Sequence, residues 1–453
     1  MKRAIRMALA LGLALPAAVA GAKVSEEKAA RLGTELTPVG ADPNGNQDES
    51  IPPWTGGLVT PPPGWSLERR VDPFSDDPVR FIIDASNVAD HADRLSPGQV
   101  ALIEAYPGYR MGVYPTRRSC GYADWVYAAT RKNAVTAELD EDDVHLEKGW
   151  HPFLFPIPRN GAEAIWNHQY EPSSGGAIAH AASMTPTKSG NMTPTRVRVT
   201  TDARMSRKTT TSLDEAQGRA ASMVVQVKAP PKRAGAVLLI HAMVNDQRRA
   251  WAYLPGQRRV RSVPTGGYDN PLPNNENLMT TDQERMFNGI IDRFDWKLGG
   301  KRELYVPYNI HALNHRPGLT YEEALGPRYV RRDLIRYELH RVWVVEATLK
   351  EGKRHLFGKR VFYLDEDSWK VVVEDIYDSR GNLWRVMEGM LTALPEVPTC
   401  TYEGVFSYDL SAGRYVAAGI RTEEPPTDYL AGRFDRVPKG IFTPHALRRM
   451  GRR

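Results

Sequence analysis

Strand-like alternation over long stretches is the feature that most constrains this chain. In "LHRVWVVEATLK" the residues Trp343, Val345, Ala347 and Leu349 fall on one face. Successive side chains of a strand point to opposite faces, so period-two patterning predicts a half-buried strand. "KRVFYLDEDSWKVVVEDIYD" and "LWRVMEGMLTAL" read the same way, as do "TRVRVTTDA", "ASMVVQVKA" and "GAVLLIHAMV" earlier on. Asp365-Glu366-Asp367-Ser368 separates two β-rich runs, as a hairpin loop does. In "RRAWAYLPGQRRVRSVPTGG", Trp251 and Tyr253 alternate with small residues, Pro255-Gly256 turns the chain, and Arg258, Arg259 and Arg261 ride the return. Many long strands joined by hairpins predict a mainly β (α+β) fold built on one large antiparallel sheet. A sheet of that size curls strongly.

Helical signals are few and short. "LSPGQVALIEAYPG" carries a capping box in Ser96 and Gln99, Pro97 at the first helical position, and Leu95 set to staple to Val100. "NGAEAIWNH", with Asn160 as cap and Glu163 three residues on, and "TDQERMFNG" (Thr281 to Gly289) predict two more. Such helices can plug or cover the concave face. Before them, "DPNGNQDESIPPWTGGLVTPPPGW" is rich in Pro and Gly and predicts an extended arm, which Trp54 and Trp65 would dock on the body. The expected division is residues 1–22 as a signal peptide, 23–80 as the arm and 81–453 as one curved-sheet domain.

The signal reading rests on Lys2, Arg3 and Arg6, a short apolar run, and Ala18-Val19-Ala20 or Ala20-Gly21-Ala22 as cleavage sites. No cysteine adjoins them, so the mature protein is expected in the periplasm, not lipidated. The chain's formal charge is +6, of which the signal contributes three, leaving +3. That is no nucleic-acid footprint. The basic tail "RRMGRR" reads as a solvated end. Cys120 and Cys400 are the only cysteines. Export permits a disulfide between them, and two buried free thiols fit equally.

Signatures of chemistry are missing. There is no G-x-S-x-G, Walker loop, dinucleotide fingerprint, CxxC or H-E-x-x-H. His311 and His315 have metal-ligand spacing but no adjacent carboxylate, and Asp292 with Asp295 reads as ion-pairing before acid/base work. "LDEDS" has calcium-binding composition but reads as a solvated turn. No catalytic residue, metal or cofactor is assigned.

Several ordered blocks resemble a known family. "WAYLPGQRRVRSVP" is similar to a strand–Pro–basic-hairpin pattern of proteins related to outer-membrane lipoprotein-sorting (LolA/LolB-like) carriers. "IPPWTGG", "YPTRRS", "FPIPRNGAEAIWNH", "YDNPLP", "FNGIIDRFDWKLGGKRELYVPYN" and "FYLDEDSWKVVVEDIYDSRGNLWR" resemble, in that order, a secreted proteobacterial family related to those carriers, domain of unknown function 1329. The resemblance implies a lipoprotein-carrier-like half-barrel closed by helices. It also implies an envelope role beside a resistance-nodulation-division type transporter and a companion outer-membrane protein. The expected function is a non-catalytic periplasmic carrier of a lipid or other hydrophobic ligand. A transporter-associated scaffold with a filled cavity is the alternative, and a hydrolase with a non-standard site the weakest. Trp251, Tyr253, Trp343 and Trp369 are the candidates to line the cavity, though each also suits ordinary core. Arg258, Arg259 and Arg261 are the candidates to meet an anionic head group or partner at its rim, or else form a solvated edge.

Overall fold

The computed structural model describes residues 24–263, 268–273, 275–438 and 440–451. The proposed signal peptide, residues 1–22, lies outside them. The helices are α1 (Glu26–Ala30), α2 (Pro97–Ala105), α3 (Asp124–Thr136), α4 (Gly161–Gln169), α5 (Ala312–His315), α6 (Tyr321–Ala324) and α7 (Pro444–Met450). Two short strands, β1 (Phe81–Ile83) and β2 (Met111–Val113), precede a small ribbon of β3 (Glu138–Leu139) and β4 (Leu146–Lys148). A first meander follows: β5 (Gly176–Met184), β6 (Thr195–Ala203), β7 (Arg219–Val227), β8 (Val237–Met243), β9 (Arg249–Leu254) and β10 (Arg259–Val263). The second comprises β11 (Phe294–Pro307), β12 (Arg336–Leu349), β13 (Lys359–Asp365), β14 (Val371–Tyr377), β15 (Leu383–Leu394), β16 (Thr399–Asp409) and β17 (Arg414–Ile420).

The two meanders are one sheet, because the last strand of the second pairs with the first strand of the first. All strands but β3 and β4 join a 15-stranded sheet in the order β1-β2-β12-β13-β14-β15-β16-β17-β5-β6-β7-β8-β9-β10, with β11 on the other edge of β12. Pairing is antiparallel except between β2 and β12. The sheet is therefore mixed at one point and otherwise as the alternation predicts.

Curvature follows from reach. In a flat sheet, β11 and β15 would stand four strand spacings apart, about 19 Å. Yet Ile310, three residues past β11, donates its N–H to the Leu391 carbonyl on β15 at 3.1 Å, and three residues reach only about 10 Å. The sheet curls into an open half-barrel.

Its inner face is filled over β12–β16. Val345, Ala347, Phe362, Leu364, Ile376, Met387 and Val405 pack there with Ala162, Ile165 and Trp166 of α4, and with Phe287 and Ile291 from the segment before β11. Arg360 is buried on the same face, bonded to Glu374 at 2.5 Å and Asp282 at 2.6 Å. The helix α4 sits close because Gly161 starts it: an added Cβ would stand 2.8 Å from the Trp296 and Lys297 backbone. Asn160 caps it through the Glu163 N–H at 3.0 Å. The α2 capping box forms as the sequence predicts, and Leu102 and Ile103 cover the outer face against Val386 and Phe406.

The predicted helix at Thr281 to Gly289 is not one. After a 3₁₀ turn at Thr281–Gln283 the chain takes left-handed φ values of 58° at Arg285 and 74° at Met286. Those angles break a right-handed helix. Beyond α1 the arm forms no helix or strand before β1 among the described residues, apart from one isolated bridge, and it docks through hydrogen bonds. Leu58 N–H reaches the Ser119 carbonyl at 2.8 Å, and the Val39 carbonyl accepts from Trp369 Nε1 at 2.9 Å.

Candidate functional site

Over β5–β8 the inner face changes character. Register places Ala177 opposite Thr201, Ala179 opposite Val199, Thr201 opposite Met223, and Ala221 opposite Ala242. These side chains share one face and are half-buried. They form the floor of a cavity of about 380 Å³. Its roof is Trp166 of α4 and Tyr170, which caps that helix, stacked at 4.9 Å, with Tyr268, Phe287, Ile290 and Ile291 from the segment before β11. Tyr170 Oη donates to the Val244 carbonyl at 3.1 Å and ties roof to floor. Alanine at successive inward positions is what keeps the space open, since larger side chains would meet the roof. Among the described residues none of the arm lines it. The arm instead closes the filled half.

One end of the cavity is charged. Lys370 and Arg285 both pair with the carboxylate of Glu171. Burial raises the Glu171 carboxyl, but the charges of Lys370 and Arg285 more than reverse that and hold it below its usual range. Burial pulls Lys370 down to about 8 against the pull of Glu171. His168 is also pushed down by burial, to about 4. Its Nδ1 accepts from the Val371 N–H at 3.3 Å and its Nε2 donates to the Arg285 carbonyl at 3.1 Å, the bonding of a neutral ring. Arg421 and Tyr429 also border a second, polar cavity of about 310 Å³ around Glu403 and His315.

The residues singled out from sequence fall elsewhere. Trp251 and Tyr253 are on the other face of β9, opposite Leu239 and Val237, under Ile441 and Leu447 of the C-terminal segment that includes α7. Alternation separated the two faces of this hairpin correctly but could not say which one looks inward; Ala250 and Ala252 do. Trp369 and Trp343 are on the inner side, stacked at 5.9 Å, but in the filled half, where Trp369 is fully buried. None of the four aromatics lines the cavity. Arg258 sits in the turn with φ 52°, while Arg259 and Arg261 are exposed on the inner face of edge strand β10, opposite Leu254 and Ala252. Among the described residues none of the three forms an ion pair.

Cys120 and Cys400 are joined, with Cα atoms 5.6 Å apart, and Cys400 lies in the cavity wall. Asp292 pairs with Lys353 at 3.1 Å, and Asp295 is exposed on β11. His311 and His315 have ring centres 6.2 Å apart, and β16 supplies the carboxylate their sequence lacks, Glu403, 3.6 Å from His315. The "LDEDS" turn is not solvated. Asp365, Glu366 and Asp367 are buried, because Arg118 binds Asp367 at 2.7 Å and Lys301 binds Glu366 at 2.7 Å. His340 lies within 4.8 Å of Asp365 and Asp367, a grouping with metal-ligand composition whose charges these cations already balance.

Sequence reading missed Arg285, Lys370, Glu171 and His168. They come from three separate segments, with His168 and Glu171 together at the end of α4, and only tertiary folding assembles them. The one legible signal was "GAIAHAASM", whose Ala177, Ala179 and Ala181 alternate at strand period.

The model of the family described as "Protein of unknown function (DUF1329)" matches residues 82–448. Uncharacterized protein PA3922 of Pseudomonas aeruginosa is 40% identical over 456 residues, covering 97% of each chain. Among solved structures, a DUF1329 family protein from Desulfovibrio piger is similar at 13% identity and TM-score 0.40, covering 60% of this chain and 91% of that one. A putative outer membrane lipoprotein-sorting protein domain from Vibrio parahaemolyticus gives 13% and 0.41, with 63% and 95% covered. A LolA superfamily protein from Nitrosomonas europaea gives 9% and 0.37, with 63% and 98% covered.

Proposed function

The chain belongs to the DUF1329 family, and from its geometry we propose that it is an envelope binding protein that carries a hydrophobic molecule in the cavity over β5–β8. The observation that supports this is a half-open, alanine-paved floor in a sheet whose inner face is close-packed over β12–β16. Protein interiors leave few voids larger than water, so a cavity of about 380 Å³ with apolar walls suits a guest. Each methylene such a guest withdraws from water is worth about 0.8 kcal/mol, offset in part by the cost of ordering it. Binding of this kind needs no nucleophile, metal or cofactor.

On this reading the chain acts in the periplasm after loss of residues 1–22. Among the described residues no helix is long and apolar enough to cross a membrane. The exposed edge strand β10, with Arg259 and Arg261, is the surface offered to a partner such as a transporter, a role that rests on the sequence resemblance alone. The test is native mass spectrometry of the protein purified from its own envelope. A retained small molecule that organic solvent extracts supports the reading. Protein free of any adduct, which also fails to take up added dodecanol, refutes it.

A further inference from the structure

We infer that the guest is an amphiphile with a single anionic head, held by Arg285 beside Lys370, with its chain laid along the alanine floor. This rests on the binding-protein reading and specifies its ligand.

Two observations carry it. The first is access. Arg285 is encircled by lining residues, yet its side chain is 58% exposed, while its partners Glu171 and Lys370 are 1% and 3% exposed. Its guanidinium thus stands in the cavity with Glu171 using only part of its donor fork. A guanidinium has five N–H donors in a geometry suited to carboxylate or phosphate.

The second is charge. Arg285 and Lys370 pair with one anion, Glu171; Asp365, which also faces Lys370, is paired with His340 at 3.4 Å, and His168 is neutral by its hydrogen bonds. The other charges of the lining are matched: Arg421 by Glu403 at 3.0 Å, Arg248 by Glu284 at 2.5 Å, and Asp246 by Arg249 at 3.1 Å. One positive charge is left over in a half-open cavity, beside the buried side chains of Glu171 and Lys370. A monoanionic head balances it, a cationic head is repelled, and a dianion would leave an unpaired charge behind.

The experiment compares three probes of one chain length, dodecanoate, dodecanol and dodecyltrimethylammonium, below their micelle concentrations. They are titrated into the full chain and into Arg285→Gln by calorimetry, with the fold checked by thermal melt. The wild type should bind dodecanoate at least about tenfold more tightly than dodecanol, the scale of a charge-assisted pair, and the ammonium most weakly. Arg285→Gln should erase the preference by weakening dodecanoate at least about tenfold more than dodecanol. Equal binding of acid and alcohol by the wild type, or a preference that survives in Arg285→Gln, overturns the head assignment and leaves the carrier reading standing. No binding of any probe overturns both.

A second measurement needs no variant. Lys370 faces Glu171, Arg285, His168, Asp365 and the ring of Tyr402, and loses its proton near pH 8. The acid-over-alcohol preference of the wild type should therefore shrink as pH rises through 8. A preference constant from pH 7 to about 9 counts against Lys370's part in it.

Discussion

The two halves of the sheet obey the same strand geometry and end in opposite states. Over β12–β16 the inward positions carry Val345, Phe362, Leu364, Ile376 and Met387, and the roof closes on them. Over β5–β8 the same positions carry Ala177, Ala179, Val199, Ala221 and Ala242, and the roof leaves a cavity. Side-chain volume separates the filled half from the half that keeps a cavity. The outer faces show no such contrast. The α2 region covers one half and α7 the other, and that second cover is where Trp251 and Tyr253 went.

The largest effect should come from the crosslink that ties the segment before α3 to β16. Cys120 and Cys400 close a loop of 280 residues, for which the chain-entropy model gives about 5 kcal/mol. Replacing both by Ala should lower the unfolding free energy by several kcal/mol in a denaturant titration. A loss under about 1 kcal/mol would show that packing alone holds that segment on β16.

Truncation then separates them directly. Phe362→Ala, in the filled half, should cost about 4 kcal/mol, because a void opens among neighbours that cannot close it. Met223→Ala, on the half-buried floor, should cost about 1 kcal/mol or less. Equal costs would erase the distinction.

A smaller effect comes from pH. Burial pulls His340 down, but hydrogen bonds to Asp365 and Glu338, with their charges, outweigh it and lift the ring from 6.5 to about 9. The folded state therefore holds this proton more tightly than the unfolded state. The resulting stability is fully present below pH 6.5 and fades as pH rises through about 9, a change on the order of 3 kcal/mol. Melts of wild type and His340→Gln at pH 6 and 9 measure it. A His340→Gln variant with the same pH slope as wild type would remove His340 from the account.

The hairpins from β6 to β10 and from β12 to β15 were legible because alternation reports strands wherever one face differs from the other. So were the caps of α2 and α4, which are local hydrogen-bond chemistry. The longest helix, α3, went unread: its sequence "DWVYAATRKNAVT" opens without a side-chain cap and carries no strong apolar stripe. Which face of a strand looks inward is set by what packs on it, and Trp251 alone cannot reveal that Leu447 covers it. The acidic turn at Asp365 looked solvated because its cations, Arg118 and Lys301, are far off in the chain. The charged end of the cavity has the same character: Glu171, Arg285 and Lys370 become a site only once the sheet has curled.

The most direct measurement on the central claim is a pair of readings on one variant, Ala179→Leu. If the floor is an open container, the added side chain enters vacant space: the melting temperature should stay within about 2 °C of wild type, and dodecanol affinity should fall at least about tenfold. A variant that melts many degrees lower yet binds dodecanol as the wild type does would mean that Ala179 is packed core and that the guest, if there is one, sits elsewhere.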